Sequence, residues 1–218
     1  GLGWDQLQSH RELAPTLSGM TGDRITTVAP TTTSTALSSI TTGLTPGEHG
    51  LIGYRIAVAG EVLNVLRWAV GNDDRRRSLP PRDFQRFPAF LGHDVPMVNP
   101  FELCNSAFSE AHMRGGRMVS WRAASSIAVA VSELLGAGER FVYAYYGGVD
   151  KIAHERGFGP YYDAELRVAD RLVGDVLSML PPGAVLLVTA DHGQVQVGDR
   201  ILAPTDELLA HCSLQSGE

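Results

Sequence analysis

Apolar positions recur at two spacings along this chain of 218 residues, and each spacing predicts one kind of element. Apolar residues three or four positions apart predict helices, and short runs of β-branched and aromatic residues predict strands. The predicted helices are residues 5–20 with a break near Pro15, 33–42, 101–113, 125–135 and 161–180. The predicted strands are residues 24–29, 97–100, 117–120, 140–146 and 184–190, with a β-hairpin at 54–68 and a surface loop at 71–92.

The order of these elements predicts the fold class. In the second half of the chain, strands alternate with helices, which is typical of parallel βα units with helices packed on the sheet. Residues 140–146 are apolar nearly throughout, as in a strand covered on both faces, and residues 184–190 are the strongest predicted strand. We therefore predict an α/β fold with a mostly parallel central sheet, helices on both faces and a β-hairpin insertion. The length suits one domain over residues 1–218.

Charge and composition narrow the function classes. A formal net charge of −6 argues against a nucleic-acid-binding module, which needs a cationic surface. The two cysteines, Cys104 and Cys212, are too few for a disulfide framework and favour a reducing compartment. No apolar run approaches the roughly 18 residues of a membrane-spanning helix. No signal peptide is recognisable, so a cytoplasmic location is slightly favoured.

Both ends of the sequence look incomplete. The chain starts at Gly1-Leu2-Gly3-Trp4, which is typical of a turn entering a helix, and it has no initiator Met. It stops at Ser216-Gly217-Glu218 without a closing element. We therefore expect a fragment that lacks a first strand and a C-terminal part.

Polar residues with nucleophilic or metal-binding chemistry follow three of the predicted strands. They are Thr31–Thr33 after the first predicted strand, Asp150 and His154 after the fourth, and Asp191 and His192 after the last. Because the carboxyl ends of parallel strands meet at one edge of a sheet, we expect these side chains to lie together. Carboxylates and imidazoles suit zinc, and also manganese or iron.

Each of these sets, taken alone, has an ordinary structural explanation. Asp-His-Gly is often only a turn in which the aspartate caps a helix. Asp150 and His154 have the spacing of a common pair on one helix face. The threonines could cap a helix among solvated neighbours. The occurrence of all three sets, each after a predicted strand, favours a functional site.

The segments that carry these residues resemble one family. "PTTTSTALSSITTGLTPGEHG" resembles the nucleophile segment of the alkaline phosphatase superfamily, in its type I phosphodiesterase/nucleotide pyrophosphatase branch. "YYGGVDKIAHERGFGP" resembles that branch's metal segment, in which three residues separate an aspartate from a histidine, and "VTADHG" resembles its Asp-His-Gly segment. The likeness runs from Gly1 to about Gly193, and the order of the segments agrees. It implies an alkaline-phosphatase-like three-layer fold.

The resemblance also implies a role for each matching residue. Thr33, the third residue after Pro30, matches the family's nucleophile. The family uses two divalent metal ions, which we expect to be zinc, with manganese as the alternative. One ion would be bound by Asp191, His192 and Thr33, and the other by Asp150 and His154.

The sequence departs from the family pattern at two places. The family has two further metal ligands, but here the aspartate would lie upstream of Gly1, and His211 lacks the glycine that follows the family's last histidine. The family's nucleotide-cleaving members have an asparagine three residues after the nucleophile, where this chain has Ala36. Ser34, Thr35 or the backbone N–H groups of a helix start could bind the phosphoryl oxygen instead.

The expected function is metal-dependent hydrolysis of phosphate esters, with phosphodiester or nucleotide pyrophosphate bonds favoured and a phosphothreonine intermediate on Thr33. The expected partner is a small phosphate ester or nucleotide. Two alternatives stay open: a phosphomonoesterase on the same scaffold, and a metal- or phosphate-binding domain without turnover. A dinucleotide-binding oxidoreductase is disfavoured, because no G-x-G-x-x-G follows a predicted strand.

Overall fold

The computed structural model describes residues 1–199 and 202–212, which form a mixed α/β protein. Within these residues the α-helices are α1 Trp4–Ser9, α2 Pro15–Gly19, α3 Thr33–Thr42, α4 Pro46–His49, α5 Pro81–Phe84, α6 Ala107–His112, α7 Ser125–Gly136, α8 Gly148–Arg156, α9 Pro160–Met179 and α10 Asp206–Ala210. The strands are β1 Arg55–Val58, β2 Glu61–Asn64, β3 Ala69–Val70, β4 Asp73–Asp74, β5 Pro96–Pro100, β6 Arg117–Trp121 and β7 Tyr143–Ala144. In this part of the chain no helix combines the length and apolar character needed to cross a membrane.

The chain divides into two compact units, each with its own sheet. The first unit consists of Gly1–Thr26, Gly92–Asn105 and Gly115–Gln194. The second unit consists of Thr27–Leu91, Ser106–Arg114 and the described residues from Val195 onwards. One catalytic domain over residues 1–218 stays a prediction.

The sheet of the first unit is parallel, with β5 between β6 and β7. Val98 of β5 is fully buried and packs in one cluster with Ile127 of α7 and Val176 of α9. An apolar face on each helix therefore covers the central strand. The strands predicted at residues 97–100 and 117–120 are confirmed.

Helix α9 joins the helices of the first unit through its buried face. Tyr162 and Leu166, one turn apart and both fully buried, pack in a cluster with Leu17 of α2. One turn further, the buried carboxylate of Asp170 accepts hydrogen bonds from the backbone N–H groups of Thr16 (3.2 Å) and Leu17 (2.8 Å). The first N–H groups of a helix have no intrahelical acceptor. Asp170 therefore supplies one for α2 and anchors it to α9.

The sheet of the second unit is antiparallel, in the order β1-β2-β3-β4. Strands β1 and β2 form a hairpin in which Val58 lies opposite Glu61. The two residues between them, Ala59 and Gly60, both have positive φ, 50° and 83°. A two-residue hairpin turn of this kind requires positive φ at both positions. The predicted hairpin is confirmed.

Helix α3 begins at Thr33 and ends before Gly43, as the sequence predicts. Gly43 has a φ of 72°, the left-handed conformation that commonly terminates a helix and that glycine adopts without strain. His49 supports α3 from the next helix. Its buried ring contacts Ser39 Oγ through Nε2 (3.0 Å) and accepts a hydrogen bond from Leu51 N through Nδ1 (3.1 Å).

Three strand predictions are wrong in whole or in part. Residues 24–29 and 184–190 form no strand, and of residues 140–146 only β7 is one. An apolar or β-branched run shows that side chains suit a pleated surface, whereas a strand also needs a neighbouring backbone to bond to. Among the described residues, neither 24–29 nor 184–190 pairs with another strand in a sheet, and Val185 and Leu187 are 81% and 85% exposed.

The sheets are consequently smaller than predicted. The α/β class is confirmed, but a three-stranded parallel sheet takes the place of the predicted large central sheet. Two other segments are more divided than expected. Residues 101–113 contain the 3₁₀ turn Phe101–Leu103 and then α6, which Ser106 caps by accepting a hydrogen bond from Ser109 N (3.0 Å). The predicted loop 71–92 contains β4 and α5.

Candidate active site

Helix α8 of the first unit carries Asp150 in its first turn and His154 one turn later. Asp150 Oδ2 lies 3.7 Å from His154 Nε2, and the side chain of Asp150 is 21% exposed whereas that of His154 is 69% exposed. A Cβ on Gly148, at the start of α8, would clash with the carboxylate of Glu165 and the phenol of Tyr146. Glycine at this position therefore lets the start of α8 approach its neighbours closely.

Asp191 and His192 lie in the same unit and are both buried. Asp191 Oδ1 accepts a hydrogen bond from His192 N (3.0 Å). His192 Nδ1 lies 2.8 Å from the carbonyl oxygen of Gly193. A carbonyl can only accept, so Nδ1 carries the proton, and in the neutral imidazole Nε2 keeps its lone pair.

The other ring nitrogen of His192, Nε2, faces two carboxylates. His192 Nε2 lies 3.4 Å from Asp191 Oδ2 and 3.8 Å from Asp150 Oδ1. Asp150 therefore stands between the two histidines, with Oδ1 towards His192 and Oδ2 towards His154. Two segments far apart in the sequence thus bring two carboxylates and an imidazole nitrogen to one place, with His154 at its exposed side.

The first residues of the chain run beside this cluster. The nitrogen of Gly1 lies 3.0 Å from Asp191 Oδ1 and 3.8 Å from Asp150 Oδ1. Glycines again permit the approach, because an ideal Cβ on Gly193 would lie 2.9 Å from Gly3 Cα. Backbone at Gly3 and Gly193 therefore packs where side chains would not fit.

Two partly buried tyrosines, Tyr143 and Tyr145, lie close enough to the cluster to feel its charge. Burial raises the pKa of Tyr143 and of Tyr145, and the negative charge of Asp191 raises both further. Asp150 acts on the pKa of Tyr145 in the same direction. Both phenols are therefore protonated at neutral pH.

The chemical types in the cluster fit a divalent metal ion, but no complete metal site is formed. Carboxylate and imidazole are the ligands that zinc and manganese take in proteins. Across residues 1–199 and 202–212, however, no group of three or more His, Cys, Asp or Glu residues is arranged to hold a metal ion. The roles of Asp150, His154, Asp191 and His192 as ligands stay predictions.

Thr33 belongs to the second unit, where it is the first residue of α3 and is partly buried. Ser34 and Thr35 follow it on the buried side of the helix, and the hydroxyl of Ser34 donates to the carbonyl oxygen of Gly53 (2.9 Å). Ala36 N–H makes the first hydrogen bond of the helix, to Thr32 O (2.9 Å). The predicted roles of Thr33 as nucleophile and of Ser34 and Thr35 in substrate binding stay predictions.

A comparison with protein families shows which family has these segments. A family model described as type I phosphodiesterase / nucleotide pyrophosphatase matches residues 1–74 and 110–215. The chain belongs to this family. The matched ranges contain all the predicted site residues. The family consists of hydrolases of the phosphodiesterase and pyrophosphatase type, and its members generally depend on metal ions. No curated protein matches the chain.

Two further residues contact the cluster, and sequence reasoning missed both. Gln194 Nε2 donates a hydrogen bond to Asp150 Oδ1 (2.8 Å), and Gln6 Nε2 donates one to the carbonyl oxygen of Gln194 (2.8 Å). The position of Gln194, directly after the Asp-His-Gly segment, is the only signal of it in the sequence. Gln6 is an ordinary polar residue of α1 and gives no such signal.

Proposed function

We propose that the chain hydrolyses phosphodiester or nucleotide pyrophosphate bonds, with Thr33 as the nucleophile. The observation that supports this best is the cluster of Asp150, Asp191 and His192, in which His192 Nε2 lies 3.4 and 3.8 Å from the two carboxylates. Two segments that resemble the family's metal segments supply these residues. A purely structural role would not require a buried imidazole nitrogen to lie beside two carboxylates from separate segments.

In this proposal the cluster holds two divalent cations, zinc or alternatively manganese. Asp191 and His192, with Thr33, hold one, and Asp150 and His154 hold the other. When bound, such ions supply positive charge that lowers the pKa of a hydroxyl and stabilises the oxygens of a phosphoryl group. His154, which is 69% exposed, is the solvent-facing member of this set.

The start of α3 contributes a second source of positive potential. The helix dipole and the first N–H groups of a helix favour anions, at about 0.3–1 kcal/mol for an exposed charge. The N–H groups of Ser34 and Thr35 precede the first hydrogen bond of the helix, from Ala36 N–H to Thr32 O. The Ser34 hydroxyl already donates a hydrogen bond to the carbonyl oxygen of Gly53, and Ala36 has no polar side chain. The backbone N–H groups of Ser34 and Thr35 are therefore proposed to bind the phosphoryl oxygen.

The chemical steps follow from a hydroxyl nucleophile. Thr33 Oγ1 forms a bond to phosphorus and loses its proton, while the bond from phosphorus to the leaving oxygen breaks and the leaving group takes up a proton. Water then attacks the phosphothreonine, which releases the phosphorylated product and restores the Thr33 hydroxyl. No side chain is required as a permanent general base.

Paired substrates test this function. The 218-residue chain, supplied with zinc or manganese, should hydrolyse bis(p-nitrophenyl) phosphate faster than p-nitrophenyl phosphate, and EDTA should stop both reactions. A preference for the monoester would contradict the proposed diesterase and favour the phosphomonoesterase. Zinc binding without hydrolysis of either substrate would favour the binding domain without turnover.

A further inference from the structure

A chain of two amides leads from helix α1 to Asp150. Gln6 Nε2 donates to the carbonyl oxygen of Gln194 (2.8 Å), and Gln194 Nε2 donates to Asp150 Oδ1 (2.8 Å). Gln194 Nε2 also lies 3.5 Å from the backbone oxygen of Asp150. One side chain thus contacts both the carboxylate and the backbone of the same residue.

We propose that Gln194 is a positioning residue that holds the Asp150 carboxylate in the orientation needed to bind a divalent cation. Gln6 is the brace that holds Gln194. The inference rests on the proposed function, in which Asp150 is a metal ligand. It adds two residues that act through Asp150 and do not themselves contact the metal ion.

The direction of the hydrogen bond fixes how the amide of Gln194 is placed. An ionised carboxylate only accepts hydrogen bonds, and Nε2 is the only donor in a glutamine side chain. The amide nitrogen must therefore face Asp150. Its hydrogen bond engages Oδ1 and leaves Oδ2 directed towards His154, at 3.7 Å.

This arrangement affects metal binding because Asp150 is only partly buried. Its side chain is 21% exposed, so packing alone does not hold one rotamer. Partners that orient the ligands of a metal site usually contribute 10- to 100-fold in affinity. The Gln194 amide is placed to make that contribution by removing the alternative orientations of the carboxylate.

The backbone beside Gln194 supports the same placement. Gly193 approaches Gly3 so closely that an ideal Cβ on Gly193 would lie 2.9 Å from Gly3 Cα and 3.1 Å from Gln6 Oε1. The segment that carries Gln194 is therefore packed against the segment that carries Gln6. A fixed backbone on both sides lets a single amide define the position of the carboxylate.

The experiment measures the zinc affinity of the 218-residue chain by isothermal titration calorimetry. Gln194→Met keeps the length of the side chain but removes the donor, and we expect the Kd for zinc to rise about tenfold. Gln8→Met, on the same helix as Gln6, is the control and should leave the Kd unchanged. The melting temperature of the metal-free Gln194→Met chain should equal that of the control.

The same substitution in an Asp150→Ala chain separates an effect on the orientation of the Asp150 carboxylate from a general effect on the structure. In an Asp150→Ala chain the amide has no carboxylate to orient, so Gln194→Met should then change the Kd less than twofold. Equal losses in both backgrounds, or an unchanged Kd for Gln194→Met in the wild-type background, would overturn the inference. Should Gln194→Met not fold, Gln194→Asn replaces it, since its shorter amide cannot span the contact and should give the same loss.

The outcome for the unmodified chain distinguishes this inference from the proposed function. Zinc binding by the unmodified chain that is insensitive to Gln194 overturns the inference alone and leaves the proposed site intact. A failure of the unmodified chain to bind zinc overturns the proposed function and this inference together.

Discussion

Gly3 and Gly193 approach so closely that a side chain on Gly193 would meet the backbone of Gly3. An ideal Cβ on Gly3 would lie 3.0 Å from Gly193 Cα, and one on Gly193 would lie 2.9 Å from Gly3 Cα. Real Cβ atoms essentially never lie closer than 3.0 Å to another heavy atom, so a side chain on Gly193 would require the backbone to shift. The contact joins the segment after Asp191 and His192 to the beginning of the chain, and so fixes the backbone on which the candidate site is built.

Gly193→Ala should therefore destabilise the chain. Because the obstacle is backbone and cannot rotate away, we expect a loss of about 1–3 kcal/mol in the free energy of unfolding, the usual cost of overpacking. Urea denaturation measures it. Gly136→Ala is the control, since a Cβ at this residue of α7 meets nothing within 4 Å and alanine favours a helix. Equal stability of the two variants would show that the Gly3 contact is not close in solution.

Asp191→Asn should reduce the metal content of the chain. Asp191 Oδ1 accepts a hydrogen bond from His192 N, and Oδ2 lies 3.4 Å from His192 Nε2. An amide keeps the shape but loses the negative charge that attracts a cation. Elemental analysis after dialysis against zinc should show about one ion fewer per chain. Asp175→Asn, at a half-exposed position on α9, is the control, and an equal zinc content in the two variants would remove Asp191 from the ligand set.

His112 should make stability depend on pH. It is fully buried in α6 and stacked on Phe108, and burial lowers its pKa from 6.5 to about 4, against the opposing effect of its hydrogen bond to the Phe108 carbonyl oxygen. The unfolded chain takes up this proton at the ordinary pKa, so the contribution to stability is complete above pH 6.5 and is lost as pH falls towards 4. The loss amounts to about 3 kcal/mol over that window.

Urea denaturation between pH 4 and pH 7.5 measures this dependence. His112→Gln removes the titrating group, so its free energy of unfolding should fall less with decreasing pH than that of the unmodified chain. His93→Gln, at an exposed histidine, should keep the full slope. The same slope for all three proteins would mean that His112 is not held neutral by burial.

Elements determined by local chemistry could be predicted from the sequence. Helix α3 follows from apolar spacing and from Gly43, which can take the positive φ that ends a helix. The hairpin follows from the turn at Ala59 and Gly60. Helix α9 follows from its apolar face, which includes Leu166. In each case the residues that determine the element lie within it or directly beside it.

Elements that depend on distant partners could not be predicted from the sequence. Residues 184–190 have the composition of a buried strand, but composition does not reveal whether another backbone lies alongside, and Leu187 is exposed. The contact between Gln194 and Asp150 is similar, because it joins residues 44 positions apart through an amide that occurs in no motif. The candidate site residues could be predicted because three motifs occur in the family's order along the chain. That order indicated the site even where the strand predictions were wrong.

The nucleophilic role of Thr33 is the central claim, and trapping of the phosphorylated chain tests it most directly. After rapid acid quenching of a reaction with bis(p-nitrophenyl) phosphate, mass spectrometry should find a phosphoryl adduct on Thr33. Thr33→Ala should give no adduct and should keep its zinc. It should lose at least about 99% of the activity, as expected for removal of a covalent nucleophile. The control Thr31→Ala, at an exposed neighbour, should retain both adduct and activity. Substantial hydrolysis by Thr33→Ala, or an adduct on another residue, would contradict the account.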